Sequence, residues 1–168
     1  MVHIALMASL MAVCAWISVP SPIPFTMQTF AIYLSLMLIG GKKGTCAITL
    51  YILLGLAGVP VFSGGGSGIG YILGPTGGYA LGFVLCGFTY ITAEKLLRKA
   101  SHPLITLSIG TLLCYTTGTV WFMLSTDTKL LEAVILCVVP YFAPDALKLF
   151  AAFQISKRLR KFTLSNKE

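Results

Sequence analysis

The chain has 168 residues, of which 57% are apolar and only 10% are Asp, Glu, Lys or Arg, against roughly 45–50% and about 25% in water-soluble domains. So few charges cannot clothe a water-exposed surface, and the net charge of +7 is gathered into short clusters rather than the aromatic-interleaved basic face that nucleic acid demands. A soluble domain and a nucleic-acid binder are therefore excluded. Residues 1–41 and 44–93 contain no Asp, Glu, Lys or Arg, and largely apolar runs of roughly 18 or more residues are the signature of membrane spans.

The first span is expected over residues 3–19. No basic region precedes it and no Ala-x-Ala cleavage pattern ends it, so it reads as a retained helix rather than a signal peptide. Val13 before Cys14 argues against lipidation. Ala5, Ala8, Ala12 and Ala15 recur along it, with Ser9 beside them. Ala8 and Ala12, four apart, form one smooth stripe that either packs internally or docks a partner helix. Pro20, Pro22 and Pro24 then deny the chain helix hydrogen bonds.

The second span is expected over residues 25–39, ending at Gly40-Gly41-Lys42-Lys43-Gly44, and the third over residues 45–57, ending at Gly58-Val59-Pro60. Both are short for perpendicular crossings, so they extend into their flanks or are partly buried by neighbours. Gln28 sits just inside the second, flanked by Met27 and Thr29.

A glycine-rich stretch follows, Gly64-Gly65-Gly66-Ser67-Gly68-Ile69-Gly70. It lacks the Lys-Ser/Thr pair of a phosphate-binding loop. With Phe62, Tyr71 and Tyr79 around it, it reads as an outer loop covering a ligand. Gly74-Pro75-Thr76 turns the chain into a fourth span over residues 77–93, and a fifth covers residues 103–124.

The end of the chain holds two prolines, Pro140 and Pro144. The expectation is a short apolar arm over residues 130–139, a break, and a sixth span starting near Pro144, because proline is well accommodated at the first helical position. That span ends in Lys157, Arg158, Arg160 and Lys161, and residues 157–168 are expected to form a short basic tail. The clusters Lys42/Lys43, Lys95/Arg98/Lys99 and Lys157–Lys161 follow spans two, four and six, so all fall on one side. The positive-inside rule makes that side, and both termini, cytoplasmic. The fold class is therefore an all-α, six-span membrane protein forming a single substrate-binding domain, with outer loops at residues 20–26, 61–76 and 125–129.

Charges inside a bilayer normally pair, face a cavity or bind something. Asp145 and Lys148, three apart on the last helix, share a face, and a helix start at Pro144 would give Asp145 the unpaired N–H groups and positive dipole end. Glu132, near the interface, reads as structural or solvent-facing. His3 and His102 lie near the cytoplasmic boundary, and five scattered cysteines have neither metal nor disulfide spacing. No metal site, cofactor or catalytic triad is expected.

Four stretches together are specific: Pro22-Ile23-Pro24-Phe25-Thr26-Met27-Gln28-Thr29, the run from Gly55 to Gly65, the run from Gly74 to Phe83, and Pro140-Tyr141-Phe142-Ala143-Pro144-Asp145-Ala146-Leu147-Lys148. On these the chain closely resembles the BioY family, the biotin-binding membrane components of energy-coupling-factor transporters. The resemblance implies a non-enzymatic six-helix subunit of the bacterial cytoplasmic membrane that captures biotin from outside. It further implies a membrane coupling protein and cytoplasmic ATP-hydrolysing subunits as partners, with Ala8 and Ala12 as the docking surface. One departure is that the last motif carries Ala143-Pro144-Asp145 where the family usually has Pro-Gly-Asp, which bears on the turn there.

The implied site joins Asp145 and Lys148 for the polar groups of biotin, Thr76 and Gln28 as neutral hydrogen-bonding groups, and Phe62, Tyr71 and Tyr79 for apolar burial. Which group meets the ureido ring and which the tail carboxylate is open at this level. The alternatives are a binding component for another vitamin such as thiamine or riboflavin, a membrane-embedded transferase, disfavoured by the lack of a paired acidic metal site, and a structural subunit.

Overall fold

The structure, a computed structural model, describes residues 1–21, 23–96 and 102–165, the last four by backbone alone. Pro22, Arg98 and Lys99, used above, lie outside the described residues.

Helix α1 (Val2–Trp16) ends two turns of sequence before the first proline cluster closes, because Ile17-Ser18-Val19 goes into extended pairing instead. Strands β1 (Ser18–Val19) and β2 (Phe25–Thr26) form a short antiparallel ladder with Ser18 opposite Thr26, extended by the Met27 N–H donating to the Ile17 carbonyl at 3.1 Å. The proline-rich link is thus a tied-down loop, and it delivers Phe25 and Thr26 to the head of α2 (Gln28–Ile39).

Helix α2 has 12 residues and spans only about 18 Å. Its residues 31–37 are buried without interruption. An all-round apolar helix is a central one, and α2 packs against α1, α3 and α8. Shortness is thereby reconciled with a membrane setting: α2 is covered by protein for much of its surface.

Helix α3 runs Gly41–Leu56, starting four residues earlier than expected, so Lys42 and Lys43 stand on its first turn rather than in a loop. The Glu94 carboxylate accepts the Gly41 N–H at 3.0 Å. It satisfies one of the orphan donors at the start of α3 and puts negative charge at the positive dipole end. The expected outer loop contains a short helix, α4 (Gly68–Leu73), after a 3-10 turn at Ser63–Gly65.

Helices α5 (Gly77–Leu96) and α6 (Pro103–Thr126) form the most extensive pair. They approach closely at Gly82, where an added Cβ would lie 2.7 Å from the Cys114 Cα. Small residues at crossings are how helices gain packing in lipid, where no hydrophobic effect drives association.

The end of the chain departs from expectation. Helix α7 (Leu130–Cys137) and helix α8 (Val139–Ser165) meet at Val138, and α8 passes through Pro144. The break is therefore set by Pro140. Continuing α7 would require residue 140 to donate to the Leu136 carbonyl, and proline has no N–H. Val138 serves both helices: its N–H donates to Val134 at 3.0 Å, and its carbonyl accepts from Tyr141 and Phe142, each at 3.1 Å. Pro140 sits in the first turn of α8, where its missing donor costs nothing. Residues 157–161 continue this helix, so the basic cluster stands on its last turns.

Glu94 beneath Gly41 and the Arg160 guanidinium on the Met37 carbonyl gather the basic residues at one end of the bundle. At the opposite end Trp16 Nε1 donates to the Pro60 carbonyl at 2.8 Å, and Lys148 reaches the carbonyl of Thr26. The start of α1 and the end of α8 thus lie toward the basic end. Leu6, Leu53, Phe88, Ile109, Leu131 and Phe150 point outward, an apolar exterior suited to lipid. Helix α6, with 24 residues, and the Leu130–Lys161 stretch are each apolar and long enough to cross a bilayer, the latter bent at Val138. The chain is an all-α membrane bundle with at least two spans of membrane length.

Candidate ligand-binding site

The two charges anticipated on the last helix form a hydrogen-bonded network. Lys148 Nζ lies 2.8 Å from Asp145 Oδ1, and both residues are buried, 7% and 5% exposed. The ammonium has three N–H donors. They meet Asp145 Oδ1, the Thr26 carbonyl at 2.7 Å and Thr29 Oγ1 at 3.3 Å. The Phe25 ring centroid is 3.9 Å from the same nitrogen, a cation–π contact. The Thr29 hydroxyl in turn donates to Asp145 Oδ1 at 2.9 Å, and Tyr115 Oη donates to Oδ2 at 2.7 Å. A buried ion pair is tolerable only when its remaining donors and acceptors are largely met, and here four elements meet all but one carboxylate lone pair: β2, α2, α6 and α8.

Asp145 differs from expectation in its support. Because α8 starts at Val139, Asp145 lies in the second turn, and its carboxylate is held by side chains rather than by N-terminal backbone N–H groups. The Ala143-Pro144-Asp145 departure therefore sits inside a helix rather than at a turn.

The pair borders a cavity of about 90 Å³. Gln28, Phe62, Tyr71, Thr76 and Tyr79 line it together with Asp145 and Lys148. Gln28 is the buried first residue of α2. Phe62 and Tyr71 stack, with centroids 4.8 Å apart at 18°, and Tyr51 meets Phe62 edge-on at 5.6 Å. An added Cβ at Gly55 would lie 2.0 Å from the Phe62 ring, so the ring seats against bare backbone there. Tyr79 Oη donates to the Cys137 carbonyl at 3.1 Å, tying α5 to α7. These aromatic walls with few polar groups are the usual composition of a small-molecule site.

Ala8 and Ala12 stand apart from the cavity, on α1. Ala8 is 3% exposed within the core, whereas Ala12 is half-buried and Ala5 and Ser9 are exposed. Of the pair, only Ala12 is accessible from outside the chain.

Thr29, Tyr115, the Thr26 carbonyl and Phe25 contact the charged pair, a placement that the residue pattern did not give. Thr29 stands beside Gln28 and ends the first of the stretches that carry the resemblance, and neither fact gave it a partner. Tyr115 carried one signal, a polar-tipped aromatic inside an apolar helix, where its hydroxyl needs a partner. Tyr33, whose hydroxyl pairs with Thr111 at 2.7 Å, and Tyr141, which donates to the Ile23 carbonyl, also line the cavity. Among the described residues no three His, Cys, Asp or Glu come together as metal ligands.

Comparisons with known proteins identify the relatives of this chain. The chain is 37% identical over 158 residues to a probable biotin transporter BioY of Pyrococcus horikoshii, covering 94% of this chain and 93% of that one. It is 37% identical over 166 residues to a biotin transporter BioY of Thermotoga maritima, covering 96% and 95%. Its fold matches the crystal structure of the S-component for biotin from an ECF-type ABC transporter with a TM-score of 0.86 and 26% identity, over 95% of this chain and 89% of that one. The BioY family model matches residues 1–164, and with near full-length relatives at this identity the chain belongs to the BioY family.

Proposed function

We propose that the chain is the biotin-specific S component of an energy-coupling-factor transporter, a non-catalytic transport subunit that captures biotin from outside the cell. The observation that carries this reading, beyond family membership, is the buried Asp145–Lys148 pair opening into an aromatic-walled cavity. Biotin combines a neutral ureido ring with an apolar bicycle and tail, and a site for it needs a donor, an acceptor and apolar walls side by side. Three of the roughly four lone-pair positions of the Asp145 carboxylate are occupied, leaving one for an N–H of the ligand. The long 3.3 Å bond from Lys148 to Thr29 is the one most easily exchanged for a ligand acceptor. Gln28 and Thr76 supply neutral hydrogen bonds, and Phe62, Tyr71 and Tyr79 bury the bicycle.

In the membrane the six helices α1, α2, α3, α5, α6 and α8 cross, with the basic end and both termini cytoplasmic and the cavity end outside. The sidedness is supported by the gathering of Lys42, Lys43, Arg160 and Lys161 toward one end. A membrane coupling protein and nucleotide-hydrolysing subunits supply the energy, and α1 docks the coupling protein along its accessible small-residue edge at Ala12. The whole chain acts as one substrate-binding domain.

Purified protein challenged with labelled biotin and a vitamin panel tests the reading. Biotin should displace the label, and thiamine and riboflavin should not. Preference for either of those over biotin rejects the assignment.

A further inference from the structure

A urea ring and a carboxylate place opposite demands on a site. The ring is neutral and presents N–H and C=O together, so it complements a carboxylate and an ammonium held side by side. Asp145 and Lys148 are held in that way, 2.8 Å apart and buried. A carboxylate is an anion, and burying it requires a cation that is not already cancelled or several aligned donors.

Among the described residues lining the cavity Lys148 is the one cation. Its charge is matched by Asp145, and its remaining N–H groups are directed at Thr26 and Thr29. An anion reaching Lys148 would also meet the Asp145 carboxylate, whose repulsion offsets the attraction. The neutral pair therefore selects the ureido head and rejects the tail carboxylate. The lining also includes Ser63 and Thr76, half-buried hydroxyls carried on the stretch between α3 and α5.

We infer that this chain recognises its ligand by the ureido head, leaves the tail carboxyl at the Ser63–Thr76 rim without a cationic partner, and accordingly accepts a wider substrate class. That class is biotin whose carboxyl group is blocked as an ester or an amide, including biotin amide-linked to lysine. The inference rests on the proposal that biotin is the ligand, and the two fail separately.

Direct binding of labelled biotin to the purified full-length chain is measured first, followed by displacement with biotin, its methyl ester, its lysine amide and a ring-N-methylated biotin. The ester and amide should compete within about tenfold of biotin, because the carboxylate has no cationic partner to lose. The ring-methylated compound should be weaker by about 100-fold or more, since it strands a buried acceptor. Normal biotin binding with a loss of more than about 100-fold for both blocked tails overturns the inference and leaves biotin capture standing. No retention of labelled biotin overturns both.

The variant Ser63→Lys supplies the missing cation at the rim. It should raise the preference for biotin over its methyl ester by about tenfold through a new charge-assisted bond. A preference unchanged in folded Ser63→Lys protein overturns the placement of the tail at that rim.

Discussion

Truncating Asp145→Ala removes the partner of a buried cation. Lys148, 7% exposed, keeps the Thr26 carbonyl and Thr29 Oγ1 but loses its counter-charge at 2.8 Å, and the Tyr115 and Thr29 hydroxyls lose their acceptor. Breaking a buried pair from one side costs about 3–5 kcal/mol. The individual hydrogen bonds to a charged group, about 1.5–3 kcal/mol each, are contained in that figure rather than added to it. Against a typical stability of about 5–15 kcal/mol, the variant folds with a reduced margin. Replacing both charges, Asp145→Leu with Lys148→Met, removes the desolvation cost together with the attraction, so stability should return to within about 2 kcal/mol of the parent. Biotin capture should be lost in both proteins, because neither offers an acceptor to the ureido N–H groups. The assay is a double-mutant cycle on unfolding in mild detergent, run beside labelled-biotin binding. A single variant that loses less than about 0.5 kcal/mol, or a double variant that still captures biotin within about tenfold of the parent, would refute the reasoning.

Three further expectations concern the rest of the molecule. Gly55→Ala places a Cβ 2.0 Å from the Phe62 ring, which should displace Phe62 from its stack on Tyr71, cost about 1–3 kcal/mol through overpacking and weaken capture, whereas unaltered affinity and thermal stability would show that the ring is not seated as described. Ala12→Trp should leave biotin binding intact while reducing co-purification of the coupling protein and energised uptake; Ala8→Trp, at a position 3% exposed, should instead lower the yield of folded protein, and the same yield for both variants would contradict the burial. Cysteines introduced between Val61 and Thr76 should be labelled from outside intact cells and those beside Lys43 or Lys161 only after permeabilisation, with the reverse pattern inverting the orientation.

Much of the architecture was legible because the bilayer imposes one-dimensional rules. Every backbone group in lipid must be bonded within its own element, so apolar runs become helices, and prolines and glycines mark where they stop. The residues that border the cavity could be named in the same way, since polar groups are rare in this chain and each one in an apolar run demands a reason. Asp145, Lys148, Gln28, Thr76 and the three aromatic residues all fall on one cavity.

What the sequence by itself determined was therefore the class of fold, the approximate segments and the chemistry available to a ligand. The position of the final break belonged to tertiary structure. Either proline could interrupt a helix, and only the meeting of α7 and α8 at Val138 shows that Pro140 does so and Pro144 does not. Ala8 and Ala12 read alike along the chain, yet packing buries one and leaves the other half-exposed. Thr29 and Tyr115 are separated from Asp145 by 116 and 30 residues, and no local pattern announces a hydrogen bond across such distances. A helix pattern states which residue types share a face, whereas the partner that completes a buried charge is supplied by whichever helix packs against it.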